Sequence, residues 1–194
     1  VTGSGKTEIY LRAAERVLAG GRAVLVLVPE IGLTPQMIER FTVRFGETVA
    51  VLHSGLTDGQ RYDEWQRLAR GEARICIGPR SAVLAPLTGL GLVIVDEEHD
   101  ASYNYEGDPR YDARTLAEYR THHSGAVLIA GSATPRPESV QRLPTLRLER
   151  RVDGAPLPAV EIVDLKQTPG AIHPVTHAAL VDARKAIVLL NRRG

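Results

Sequence analysis

Helical and strand-like segments alternate along most of the 194 residues, the strand-like ones are unbroken apolar runs, and one of those runs ends in consecutive acids. Together these features predict an α/β protein, a doubly wound and mostly parallel sheet with helices on both faces. Strands of a parallel sheet are covered on both sides, so they read as continuous apolar runs and not as an alternation. Composition agrees: 43% of the residues are hydrophobic and 24% charged, ordinary globular usage with enough apolar material for a sizeable core.

The first helix opens at Lys6. It carries Ile9, Ala13, Val17 and Leu18 at helical spacing and stops at Gly20-Gly21, where a glycine can leave the helix through the left-handed region. Ala23 to Val28 is a near-continuous apolar run, a strand buried on both faces. Helix 34–45, strand 49–52, helix 57–70, strands 74–78 and 92–95, helix 112–122 and strand 126–130 follow. Between Asp96 and Asp112 lies a loop of about sixteen residues, a length that goes with function or disorder in compact domains. After Thr134 the texture changes, with Pro135, Pro137, Pro144, Pro156 and Pro158 interrupting short elements, and Arg150 to Gly154 reads as a linker. A strand at 160–165, a helix near 174–185 and a strand at 187–191 then open a second unit.

Val1-Thr2-Gly3-Ser4-Gly5-Lys6-Thr7 runs straight into the first helix. It matches the end of the phosphate-binding pattern G-x-x-x-x-G-K-[ST], whose first glycine would stand one place before Val1, so the chain reads as a fragment cut inside this site. The turn Gly3-Ser4-Gly5 can curl around a polyphosphate and aim N–H groups at it, Lys6 can neutralise the phosphates, and the Thr7 hydroxyl can ligate Mg²⁺. A glycine-rich turn capping an ordinary helix would fit the same seven residues. The second half of the site decides between them. In Leu92-Val93-Ile94-Val95-Asp96-Glu97-Glu98-His99 an acidic pair ends a buried strand, where α/β sheets place their ligands. Asp96 is suited to hold the Mg²⁺ that Thr7 also touches, and Glu97 to orient and deprotonate a water. The competing reading is a solvated strand end.

The long loop holds Tyr103, Tyr105 and Tyr111 beside Arg110. These are either stacking faces for unpaired bases with a cation close by, or an aromatic cluster pinning the loop to the domain. The net charge of +1 announces no global basic field, so any nucleic-acid site must be local. The single cysteine, Cys76, sits in Ile75-Cys76-Ile77 and reads as a buried small hydrophobe; a disulfide framework is excluded. No stretch is long and apolar enough to span a membrane, and a cytoplasmic chain is expected.

Seven stretches, VTGSGKTEIY, VPEIGLTPQ (28–36), LHSGLT (52–57), GPRSAV (78–83), DEEHD (96–100), PRYDAR (109–114) and GSATPRPES (131–139), together resemble the bacterial replication-restart helicases of the primosomal protein N′ family. Order and spacing agree through essentially the whole chain. The resemblance implies a RecA-like P-loop fold, with residues 1–150 as the first helicase lobe lacking its first strand and 151–194 as a linker and the start of a second RecA-like lobe. It implies an ATP-dependent 3′→5′ DNA helicase of replication restart and primosome assembly. Gly5, Lys6 and Thr7 are then assigned to phosphate and Mg²⁺, Asp96 to the metal, Glu97 to the water, and Lys6, Asp96, Glu97 and His99 to catalysis. Ser132-Ala133-Thr134 becomes the segment that couples hydrolysis to strand movement by contact with His99. Thr34, Gln36, Arg80 and Ser81 are placed on DNA phosphates, partners that position a strand without reading its sequence; capping of a helix is the other use open to Thr34 before Pro35.

Pro79, Asn104, Tyr105 and Thr115 depart from the family pattern, all in presumed DNA-facing or coupling segments. The family's structural zinc cysteines and the arginines that complete its ATP site come after Gly194. The implied partners are single-stranded and forked DNA, single-strand-binding protein and other primosome proteins, with no membrane and a monomeric chain. Two alternatives stay open: a non-catalytic helicase-like scaffold that binds DNA without turning over ATP, and another superfamily-2 translocase.

Overall fold

In the computed structural model, residues 4–30, 33, 35–149, 152, 154, 159–166 and 172–189 are described. The chain divides into two compact units, residues 1–155 and 156–194. The first is built on five parallel strands: β1 (Ala23–Leu27), β2 (Val49–Val51), β3 (Ile75–Gly78), β4 (Leu90–Val95) and β7 (Val127–Ala130), in the order β2-β3-β1-β4-β7. A second, two-stranded antiparallel sheet pairs β5 (Asn104–Tyr105) with β6 (Tyr111–Asp112). The helices are α1 (Lys6–Ala19), α2 (Pro35–Phe45), α3 (Asp58–Ala69), α4 (Ala113–Ser124) and the short α5 (Pro137–Arg142).

Side-chain alternation along the strands divides the core into two layers. Val24, Val26, Ile75, Ile77, Leu92 and Ile94 pack with Tyr10, Leu11 and Ala14 of α1 and Met37 and Phe41 of α2. Leu25, Leu27, Cys76, Val93 and Val95 pack on the other face with Leu68 of α3 and Ala113 and Ala117 of α4. With both faces covered, all residues of β1, β3 and β4 are buried, which is why they read as unbroken apolar runs. Burial also pushes the Cys76 thiol up to about 12, so it behaves as a small hydrophobe. Among the described residues no helix is long and apolar enough to cross a membrane.

Helix ends follow local chemistry. Thr57 caps α3 in a capping box with Gln60, Asp112 caps α4 through the N–H groups of Arg114 and Thr115, and Gly125 ends α4 in the left-handed region. Of the α1 stripe read from the sequence, Ala13, Val17 and Leu18 pack half-buried against the core beside the fully buried Tyr10, Leu11 and Ala14, while Ile9 is exposed. The hairpin β5–β6 lies where the sequence suggests only loop, and helix α5 where it suggests short elements broken by prolines. Two-residue strands leave no periodicity to read, and α5 is only six residues long.

In the second unit, α6 (Pro174–Asp182) starts at His173, whose side chain accepts the Val175 N–H. The strands expected at 160–165 and 187–191 are absent among the described residues, and positions 190 and 191 lie outside them. Ile162 and Leu189 are instead almost fully exposed. A strand is stable only when its backbone groups have a neighbouring strand to pair with, and the described residues of this unit supply none.

Gly78 closes β3 where no side chain fits. An added Cβ would stand 2.7 Å from both the Leu52 carbonyl oxygen and Ala82 Cβ. Gly78→Ala is therefore expected to destabilise the first unit by about 1–3 kcal/mol, measured as a lowered midpoint of chemical denaturation with an unchanged slope.

Candidate functional site

Parallel strands end on one edge of a sheet, and here five chain segments leave that edge together: 28–30, 52–54, 79–81, 96–99 and 131–134. The ends of β1, β4 and β7 are level. Asp96 N–H donates to the Leu27 carbonyl at 2.9 Å, and Gly131 N–H to the Val95 carbonyl at 2.8 Å.

At the same edge stands the start of α1. Gly5 takes φ 87°, a left-handed conformation that suits glycine, and its carbonyl accepts the N–H groups of Glu8 and Ile9. No side chain caps this helix, and Ser4 Oγ is buried without a hydrogen-bond partner among the described residues. A helix N-terminus of this kind, with free N–H groups and the positive end of the dipole, favours an anion. Lys6 Nζ donates to Glu97 Oε1 at 2.7 Å and lies 3.9 Å from Asp96 Oδ1. Thr7 sits half-buried in the first turn. Gly3 and Thr34 lie outside the described residues.

The four consecutive side chains from Asp96 to His99 meet different surroundings. Asp96 accepts a hydrogen bond from the Tyr10 hydroxyl at 2.9 Å. Burial raises the Asp96 pKa, the Tyr10 hydrogen bond and Lys6 oppose that, and the net direction is upward. Tyr10 is itself pushed up by burial and by Asp96, so it remains a donor. Glu97 adopts φ 43°, a conformation uncommon outside glycine and found where the chain is over-determined by its surroundings. It lets the backbone leave the strand while its carboxylate meets Lys6. Glu98 points inward, almost fully buried, and accepts the Arg136 N–H at 2.7 Å and the Ser139 hydroxyl at 2.8 Å, which ties α5 to the end of β4. His99 Nδ1 lies 2.8 Å from Ser132 Oγ and 3.6 Å from Glu97 Oε2, and Thr134 N–H donates to the same Ser132 Oγ at 3.0 Å. The segment Ser132–Thr134 and the acidic run are thus in direct contact. Ala133 and Thr134 are exposed.

Among the described residues no group of three or more His, Cys, Asp and Glu is arranged to hold a metal ion alone. What the site offers is a largely buried carboxylate beside a lysine and an uncapped helix. That is the donor set Mg²⁺ uses when substrate phosphates supply its remaining oxygens.

The tyrosine loop requires a correction. Tyr103 is 0% exposed and its hydroxyl donates to the Asp96 carbonyl at 2.6 Å, so its ring presents no face on which a base could stack. The Arg114 guanidinium lies 5.7 Å from that ring, donates to the carbonyls of Glu98 and Asp100 at 2.9 and 3.3 Å, and pairs with Asp112. Tyr105 and Tyr111 are half-buried with ring centroids 5.3 Å apart. Their cation is Arg80, 4.8 Å over Tyr105 and donating to the carbonyls of Ser102 and Asn104. Arg110 is exposed and makes none of these contacts. Gln36 and Ser81 are exposed near a cleft of about 260 Å³ lined by Glu30, Leu33, Ile38, His53 and Pro79.

Sequence reasoning missed Tyr10, Glu98, Arg114 and Gly131. The one signal available was a tyrosine on the buried stripe of α1, because a buried phenol needs a hydrogen-bond partner.

Residues 1–143 match the DEAD/DEAH box helicase family. The chain is similar to the replication restart protein PriA of Bacillus subtilis, 44% identical over 100% of this chain and 26% of that protein. It is likewise similar to the PriA proteins of Synechocystis, 47% identical with coverages of 100% and 26%, and of Treponema pallidum, 46% identical with coverages of 100% and 31%. The chain thus spans about a quarter to a third of these relatives' length, and the resemblance read from the motifs extends along all of it. Among solved structures, the helicase domain of Pyrococcus furiosus Hef superposes with a TM-score of 0.53 at 27% identity, over 72% of this chain and 30% of that one.

Because Tyr103 is core and Tyr105 is rim, their truncations should separate. Tyr103→Ala is expected to cost about 3–5 kcal/mol of stability, and Tyr105→Ala about 1–2 kcal/mol, by chemical denaturation of each variant beside wild type.

Proposed function

The chain belongs to the DEAD/DEAH box helicase family, and on that premise we propose that residues 1–155 are the ATP-binding lobe of a DNA helicase that acts in replication restart. The observation that carries this reading is the meeting of Lys6 with Glu97 and Asp96, 91 and 90 residues away in sequence, at an uncapped helix N-terminus on the carboxyl edge of a parallel sheet. Similarity to PriA along the entire chain supports the replication-restart role.

In this reading Ser4, Gly5, Lys6 and Thr7, with Gly3, bind the phosphates of ATP. Lys6 leaves Glu97 for the phosphates, an exchange made easy by the partial exposure of both side chains. Asp96 and Thr7 would hold Mg²⁺, which when bound neutralises charge developing on the transferred phosphoryl group. Glu97, released by Lys6, orients a water and accepts its proton. His99 reports the state of Glu97 to Ser132, Ala133 and Thr134 through the Ser132 contact. Gln36, Ser81 and Arg80, with Thr34, take the phosphates of a DNA strand, and Tyr105, Tyr111 and Arg110 are its further contacts. Residues 156–194 begin the second lobe. The whole protein moves 3′→5′ on single-stranded and forked DNA, meets single-strand-binding protein and primosome proteins, is monomeric, and works in the cytoplasm.

Lys6→Ala is expected to lower DNA-stimulated phosphate release by the full-length protein roughly a hundredfold or more, with DNA affinity retained. Unchanged turnover in that variant would overturn the catalytic assignment and favour a DNA-binding scaffold.

A further inference from the structure

Tyr10 stands four residues after Lys6 on α1, one helical turn further along the same face. Its ring is 2% exposed and belongs to the apolar layer formed with Leu11, Ala14 and Ile94. A phenylalanine would fill that slot equally well. The hydroxyl is accounted for by polar neighbours alone: it donates to Asp96 Oδ1 at 2.9 Å, the same oxygen that Lys6 Nζ approaches to 3.9 Å. It also occupies the space a side chain at position 131 would need. A Cβ built on Gly131 would fall on the phenolic oxygen and lie 2.9 Å from Tyr10 Cζ and 3.5 Å from Asp96 Oδ1. Gly131 is hydrogen-bonded to Val95 and Glu98 on the neighbouring strand end, and it precedes the Ser132 that touches His99. The hydroxyl therefore sits between the ends of β4 and β7, with the helix that opens the phosphate-binding turn behind it.

We infer that Tyr10 is a positioning residue for Asp96: its hydroxyl fixes one carboxylate oxygen, so that the carboxylate faces a metal ion in a single orientation set by α1, and Gly131 is glycine to leave room for that hydroxyl. The inference rests on the reading of Asp96 as the carboxylate that holds Mg²⁺. A carboxylate with one oxygen held by a donor loses less freedom on binding a metal, and partners of this kind, one bond removed from the ion, typically contribute tenfold or more to metal affinity.

The test is Tyr10→Phe in the full-length protein, which removes one oxygen and keeps the ring. Dissociation constants of a fluorescent ADP analogue are measured in Mg²⁺ and in EDTA, beside a melting curve. Wild type is expected to bind the analogue more tightly in Mg²⁺. In Tyr10→Phe that tightening is expected to shrink about 10-fold to 100-fold, with the EDTA value within about twofold of wild type and the melting temperature close to it. A lowered melting temperature with an unchanged ratio of the two constants would show that the residue only packs, and would overturn the inference while leaving the nucleotide site standing. Absence of any Mg²⁺-dependent tightening in wild type would overturn the metal reading of Asp96 and the inference with it. Gly131→Ala, which evicts the hydroxyl, is expected to shrink the ratio as Tyr10→Phe does, and to cost less further when introduced into Tyr10→Phe than into wild type; equal costs in both backgrounds would contradict the shared-space argument.

Discussion

When β4 pairs with β1 on one side and β7 on the other, the last bonds of the two ladders, Asp96 N–H to Leu27 and Gly131 N–H to Val95, bring three chain ends to one level. Every charged group of the site hangs from that alignment. Strand residues alternate between faces, so a slip of one position along β4 would turn its side chains onto the opposite layer and carry Asp96 away from Tyr10 and Lys6. The two apolar layers prevent the slip. Ile94 and Leu92 are committed to the α1–α2 side, and Val93 and Val95 to the α3–α4 side.

Given the register, electrostatics sorts the acids by burial. Asp96 is the carboxylate that burial disfavours as an anion, and it is met by a phenol and a lysine delivered on one helix. Glu97 is more exposed, and its pairing with Lys6 contributes about 1 kcal/mol or less in such surroundings, so it can be exchanged for another anion without loss of the fold. Glu98 is buried but fully used, with both oxygens capping the backbone and side chain of the segment around α5. One acidic run thus contains a largely buried group held by a phenol, a more exposed group paired with a lysine, and a structural group, distinguished by what packs around them.

The acidic run is also held by residues of the loop that follows it and of the helix start beyond. Tyr103 and Arg114 bind the carbonyls of Asp96, Glu98 and Asp100, so the backbone of the acidic run is gripped from the side opposite α1. Arg80, from the turn after β3, grips the next carbonyls and stacks on Tyr105. A change at Tyr105 or Arg80 on the protein's rim is therefore linked to Glu97 and His99 through a few backbone bonds.

The fold class, the order of the first unit's main helices and strands, and the acids that end β4 were legible in the sequence. Buried parallel strands must be apolar throughout, and phosphate binding at a helix start demands Gly5, Lys6 and Thr7 in adjacent places. Those are local requirements, and local patterns record them. Tertiary structure decided the partners: Tyr10 with Asp96, Glu98 with Arg136 and Ser139, Arg114 with the acidic run, and Tyr103 as a brace in place of a stacking face. It also left Ile9 of α1 exposed, and Ile162 and Leu189 without a sheet among the described residues. Each depends on groups far apart in the chain coming within about 3 Å, and that distance is set only when the two ladders and the two apolar layers have closed.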